Sequence, residues 1–188
     1  MNRRRLICFL VLLMAFEATP SWGEPVEIFR AAVVIKNEKM QATVMEKLGC
    51  DPCSDVVAGG SGGIEVHYVV SRYRALVLRR ADIKGASIQE VKAPDQIETS
   101  FQLMIRVSES ARKQLSESYH LPADYGANYC GGKLVGVGPL VPFGSYYIVG
   151  SFQSKDEATE AADIMGLDTA FVPYDEERSH RVRDRLLK

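Results

Sequence analysis

Residues 101–107 set the terms for the fold. Phe101, Leu103, Ile105 and Val107 interleave with Gln102, Met104 and Arg106. A two-residue period puts these two sets on opposite sides of a pleated strand, so one side rests on a core and the other faces out. Residues 26–36, rich in Val, Ile and Phe, read as a second strand. Residues 64–70, 85–92 and 145–152 read as further strands, and 75–78 is a short apolar stretch before a turn at Ala81-Asp82-Ile83. The 85–92 and 97–107 strands are joined around Ala93-Pro94-Asp95, and Cys130-Gly131-Gly132-Lys133 makes a hairpin turn between two short strands.

Helical segments fall between these strands. Residues 38–48 have helical composition and Gly49 ends them. Ser108 can cap a helix running to about Tyr119, with Ala111, Leu115 and Tyr119 on one face. Ser154 and Glu157 form a capping box, and the helix that follows carries Ala158, Ala161, Ala162 and Met165 on one side before stopping at Gly166. Strands joined mostly by hairpins, with helices interleaved irregularly, predict an α+β fold: a largely antiparallel sheet with helices packed on one face.

The first residues predict where the chain works. Arg3, Arg4 and Arg5 precede an apolar run over 6–16, and Pro20 is followed by the small-x-small triplet Ser21-Trp22-Gly23. This is the layout of a secretory signal peptide cleaved after Gly23. The run is much shorter than the roughly 20 residues of a membrane span, and no second long apolar run follows, so no transmembrane segment is expected after cleavage. The expected organisation is a signal peptide over 1–23, an N-terminal segment over 24–63, an α+β domain over 64–166 and a charged tail over 167–188. Gly59-Gly60-Ser61-Gly62-Gly63 reads as a flexible connector between the second and third parts. The full chain has a formal net charge of −1. The signal takes three Arg and one Glu with it, so the exported protein is mildly acidic. No basic excess points to nucleic acid or an anionic membrane.

Cys50, Cys53 and Cys130 remain after cleavage. In an oxidising compartment the expectation is a structural bridge, either within the CxxC or from it to Cys130; the favoured one joins Cys50 and Cys53 and leaves Cys130 a free, largely buried thiol. A thiol-disulfide oxidoreductase would need the first cysteine of its CxxC at a helix N-terminus. Here the CxxC follows a helical segment, and Asp51 adds negative charge. Glu65 and His67 share a strand face without making a convincing proton-transfer or metal pair, and His120 suits a helix C-terminus. Ser108, Ser110, Ser116 and Ser118 lack a nucleophile-elbow context. Asp156, Glu157, Glu160 and Asp163 suit a helix N-terminus rather than a calcium loop. No catalytic residue, metal site or cofactor is expected. Tyr125, Tyr129, Phe143, Tyr146 and Tyr147, in or near loops and hairpin ends, form the candidate face for a protein or polypeptide partner in the cell envelope.

Four segments in order resemble the head subdomain of the first periplasmic domain of SecD, an accessory protein of the bacterial preprotein translocase. Leu78-Arg79-Arg80-Ala81-Asp82-Ile83-Lys84-Gly85-Ala86-Ser87 is similar to the family's "ADI-x-x-A" segment. Ser100-Phe101-Gln102-Leu103 followed by Ser110-Ala111-Arg112-Lys113 is similar to "SF-x-L" followed by "GARKF". Gly132-Lys133-Leu134-Val135 stands at the "DGKV" hairpin, with Gly131 in place of its aspartate. Residues 144–152, with Glu157-Ala158, resemble "GSGQI-x-G-x-F" and "EEA". The resemblance implies a SecD-head-like fold and a periplasmic, polypeptide-contacting role. SecD's membrane helices have no counterpart here, so it does not imply translocase activity. An inhibitor or immunity protein for a cell-envelope enzyme is the alternative. Exported protein is expected to begin at Glu24, which N-terminal sequencing of periplasmic material checks; a Met1 terminus on that material would refute the cleavage.

Overall fold

In a computed structural model that describes residues 24–34, 38–48, 56–61, 64–92, 99–118 and 125–175, one nine-stranded sheet organises the chain. The strands are β1 Val26–Val33, β2 Val56–Ser61, β3 Ile64–Leu78, β4 Ile83–Lys92, β5 Thr99–Val107, β6 Tyr125–Cys130, β7 Lys133–Pro139, β8 Tyr146–Phe152 and β9 Thr169–Val172. The helices among the described residues are α1 Glu38–Leu48, α2 Glu109–Ser118 and α3 Lys155–Ile164. The sheet order is β7-β6-β1-β3-β2-β8-β5-β4-β9. Among the described residues only the β4–β9 pair is parallel. The α+β expectation with a largely antiparallel sheet describes this architecture.

The alternation over 101–107 behaves as the period requires. Leu103, Ile105 and Val107 are buried, Phe101 packs half-buried at the edge of the same cluster, and Arg106 is exposed. That cluster also takes Val26, Ile28, Leu76 and Leu78 from β1 and β3, Ala111 and Leu115 from α2, and Ala158, Ala161, Ala162 and Met165 from α3. A single core therefore joins strands from both halves of the sheet.

Local signals fix the helix ends. The Ser108 hydroxyl accepts from the Ala111 amide at 3.2 Å, and the Ser154 hydroxyl accepts from the Glu157 amide at 3.2 Å. Glu157 accepts in return from the Gln153 amide, one residue before the cap. At the other end of α3, Leu167 donates to the Ala162 carbonyl and Gly166 to that of Asp163, a Schellman closure.

Three expectations need correction. The described strands within residues 24–63 do not stand apart from the rest, because β1 and β2 lie inside the sheet between β6 and β8. Gly59, Gly60 and Ser61 are no connector either: they belong to β2 and pair with Val66, Glu65 and Ile64 of β3. Glycine composition suggested flexibility, but the ladder hydrogen bonds of a tight hairpin decide the conformation. Likewise the 64–70 strand and the 75–78 stretch are one strand, β3. Register shifts opposite Ile28, Phe29 and Ala31 mark bulges that bend it.

The sheet also packs onto itself. β2 and β8 pair through Gly60 and Ser151 alone, so little ladder joins the two halves there. Instead β7 lies against β8 with almost nothing between the backbones. A Cβ on Gly136 would sit 3.2 Å from the Gly150 Cα, and one on Gly138 would strike the Ile148 carbonyl oxygen. Only glycine allows strands to approach this closely. Leu103→Ala is expected to cost about 3–4 kcal/mol for a fully buried leucine. Arg106→Ala on the opposite face should change stability by no more than about 0.5 kcal/mol. Urea unfolding of both variants checks the register; equal effects would contradict it.

Candidate functional site

The adjacent residues Tyr146 and Tyr147 part company at the start of β8, as neighbours on a strand must. Tyr147 is fully buried, whereas Tyr146 is 39% exposed. Tyr146 closes a two-residue turn with Phe143: each donates its amide to the other's carbonyl, at 3.0 and 2.7 Å. Gly144 inside the turn has φ +62°, a left-handed value that glycine adopts without strain. The Ser145 carbonyl accepts from the Val107 amide at 2.9 Å, which fastens the turn to the end of β5. Directly opposed residues share a face, so Phe143, 54% exposed, and Tyr146 stand together on the solvent side.

Tyr147 points the other way, between the stacked strands. Its hydroxyl donates to the Asn128 Oδ1 at 2.9 Å. The Asn128 amide nitrogen donates to the carbonyls of Gly126 at 3.0 Å and Val149 at 2.8 Å, with Gly136 at 3.4 Å. Both side chains are wholly buried, and the set is satisfied. Burial pushes the Tyr147 phenol well above its ordinary value of 10.0, against a smaller opposite effect of the Asn128 bond. A Cβ on Gly126 would lie 2.6 Å from the Tyr147 hydroxyl, so Gly126 makes room for it.

The five aromatic candidates therefore fall in three places. Tyr147 belongs to the core and drops out of the partner face. Tyr125 and Tyr129 lie half-buried on the side of β6 away from Asn128. There Tyr129 meets Phe29 edge-on at 5.4 Å, and Tyr125 meets Tyr68 at 5.1 Å. Buried Ala31, Tyr68, Val70, Ala127 and Val137 complete that layer. Phe143 and Tyr146 alone form an exposed pair.

Beside that pair lies a group the sequence did not single out. Arg106 of β5 is paired with Tyr146 of β8 and with Gly85 of β4. Its guanidinium donates to the Lys84 carbonyl at 3.2 Å, and the Lys84 ammonium donates to the Ala81 carbonyl at 2.8 Å. Arg79, Arg80, Lys84 and Arg106 are all exposed, and among the described residues none forms an ion pair. Asp82, the acid within this stretch, is turned to other duties. It accepts from the Arg79 amide at 3.0 Å and the Ser108 hydroxyl at 3.3 Å, tying the turn before β4 to the cap of α2. Glu109 is held by Arg112, whose hydrogen bond lowers its carboxyl below the usual range. The row became visible only with the strand register, which sets Arg106 opposite Tyr146.

Cys130 is free and buried. Its Sγ lies against the carbonyls of Ile164 at 3.5 Å and Glu24 at 3.6 Å. Burial first, then the charge of Glu24, push the thiol upward, which makes it a poor nucleophile at neutral pH. Cys50, Cys53 and His120 lie outside the described residues, as does the signal segment. His67 is exposed on β3, and Ser108 is a helix cap. Asp156, Glu157, Glu160 and Asp163 are exposed along α3. Among the described residues no three His, Cys, Asp or Glu side chains group as metal ligands, and no helix is long and apolar enough to cross a membrane. The chain matches no protein-family model, no curated protein and no solved structure.

Tyr147→Phe should cost about 1–3 kcal/mol at neutral pH, because it strands the Asn128 oxygen in the core. The phenol's raised value also ties stability to pH. Its contribution is full below the unfolded tyrosine value of 10.0 and is lost as pH rises beyond it, where only the unfolded chain ionises. Urea unfolding of wild type and Tyr147→Phe on either side of pH 10 is expected to show a steeper alkaline loss in wild type. Parallel curves would contradict the buried phenol.

Proposed function

We propose that this is a non-enzymatic, exported protein of the periplasm with a SecD-head-like domain, which binds a polypeptide or protein partner during protein export. The observation that carries this reading is the exposed pair Phe143 and Tyr146 on a turn fixed by its own hydrogen bonds and by Val107. Aromatic side chains offer large contact area for little lost side-chain entropy, and a turn that is already ordered loses little more on binding. Their neighbour Tyr147 is locked in the core, so the turn is anchored within one residue of the contact surface.

The placement of the SecD-like segments supports the same reading. The "ADI" stretch runs from the turn before β4 into its first residue, Phe101 to Leu103 lie on β5, Ser110 to Lys113 on α2 and Lys133 to Val135 on β7. Tyr146 to Phe152 form β8 and Glu157-Ala158 lie on α3. The resembling segments thus follow chain order through these elements, with β6 intervening unmatched between α2 and β7, and one of them, residues 144–152, includes Tyr146 and part of its turn. Binding works here by apolar contact, with no bond made or broken in the partner.

The test uses the mature protein and a permanently unfolded polypeptide, reduced and carboxymethylated lactalbumin, as the probe. Replacing Phe143 and Tyr146 together by Ser should weaken binding about tenfold or more, by the usual weight of aromatic anchors. Urea unfolding should show both proteins equally stable. No binding by wild type, or equal binding by the double variant, would overturn the proposal.

A further inference from the structure

The charge beside the aromatic pair identifies the kind of polypeptide that fits. Arg106 is set opposite Tyr146 at one end of the sheet, and Lys84 beside it and Arg79 and Arg80 in the turn before β4 are exposed at that same end. The order across that end is Lys84 and Gly85 on β4, Arg106 on β5, Tyr146 on β8, then Phe143. At about 4.8 Å per strand this row is roughly 14 Å long, cationic at one end and aromatic at the other. Gly85 leaves the space beside Arg106 open, for a Cβ there would meet nothing within 4 Å. None of the four cations is ion-paired among the described residues: Glu109 pairs with Arg112, and the Asp82 carboxyl directs its oxygens to the Arg79 amide and the Ser108 hydroxyl. Unpaired like charges side by side repel, and a complementary anion relieves that cost.

We propose that this row docks an acidic segment of polypeptide, with an apolar residue of the segment on Phe143 and Tyr146 and its carboxylates on Arg106 and Lys84. The inference rests on the polypeptide-binding reading above and adds the chemistry of the partner. Carboxylates suit the site because arginine offers them a planar fork of donors, and an apolar neighbour suits the exposed rings. The protein's mildly acidic net charge does not oppose this, since screening confines the interaction to within about 8–10 Å at physiological salt.

The experiment compares three labelled peptides, identical except that Glu, Gln or Lys occupies every third position among Leu and Ser, by fluorescence anisotropy with the full mature protein. The Glu peptide should bind at least tenfold tighter than the Gln peptide at low salt, the Lys peptide weakest, with the advantage shrinking in 0.5 M NaCl. Arg106→Glu should erase the preference, and Lys84→Glu, which leaves the Arg106 hydrogen bond to the Lys84 backbone in place, should reduce it independently. Equal binding of Glu and Gln peptides, lost in the Phe143 and Tyr146 double variant, overturns the acidic preference and leaves polypeptide binding standing. Binding of no peptide overturns both. Binding of vesicles rich in phosphatidylglycerol through the same residues, without binding of the Glu peptide, also overturns the inference and assigns the row to a membrane surface.

Discussion

The hydrogen-bonded pair of Asn128 and Tyr147 is the constraint on which the rest of the molecule turns. Strands β7 and β8 approach closely enough that a Cβ on Gly138 would strike the Ile148 carbonyl, and one on Gly136 or Gly150 would be crowded at 3.1 Å. Such an approach brings carbonyls into a dry space where an unpaired one is costly. Asn128 reaches the carbonyls of Val149, Gly126 and Gly136 from one amide, and its own oxygen is satisfied by Tyr147. Polar satisfaction of this kind does what a continuous β2–β8 ladder would otherwise do, and it does so from side chains. Removing either member leaves a polar atom stranded where water does not enter.

That pin also anchors one end of the surface turn. Tyr147 is held in the core, Ser145 is bonded to Val107, and Tyr146 between them is bonded through its own backbone to Phe143. Strand alternation then presents Tyr146 outward beside Phe143 without any further device. At the other side of the row, Asp82 links the turn before β4 to the cap of α2. The charged and aromatic ends of the row therefore stand on separately anchored backbone. A surface ordered in advance loses less entropy when it binds.

Much of the architecture was legible because it rests on local rules. The 101–107 alternation, the Ser108 and Ser154 caps, the Gly166 stop and the Cys130–Lys133 turn are short-range signals, and each has its counterpart in the structure. What escaped were matters of pairing. Whether Gly59, Gly60 and Ser61 form a loop or a strand depends on β3 lying beside them, which composition does not encode. Tyr146 and Tyr147 are the same residue type, side by side, and only the register of β8 against β5 says which one enters the core. Asn128 carried no signal at all, since an asparagine between tyrosine and alanine in a Gly-rich stretch reads as turn chemistry rather than as a buried hub.

Charge illustrates the same limit in another form. Net charge is a sum, and sums say little about a surface on which screening confines each group to its own neighbourhood. The acids of this chain stand largely elsewhere: Asp156, Glu157, Glu160 and Asp163 on α3, and Glu109 and Glu117 in pairs along α2. Folding gathers Arg79, Arg80, Lys84 and Arg106 at one end of the sheet and draws Asp82 inward to hold the backbone. An acidic protein thereby acquires a basic face. Because Arg106 follows Ile105 and precedes Val107, the strand that fills the core necessarily sets this cation on the opposite side, opposite Tyr146. The pattern that specifies the fold also places the charge on which partner choice would depend.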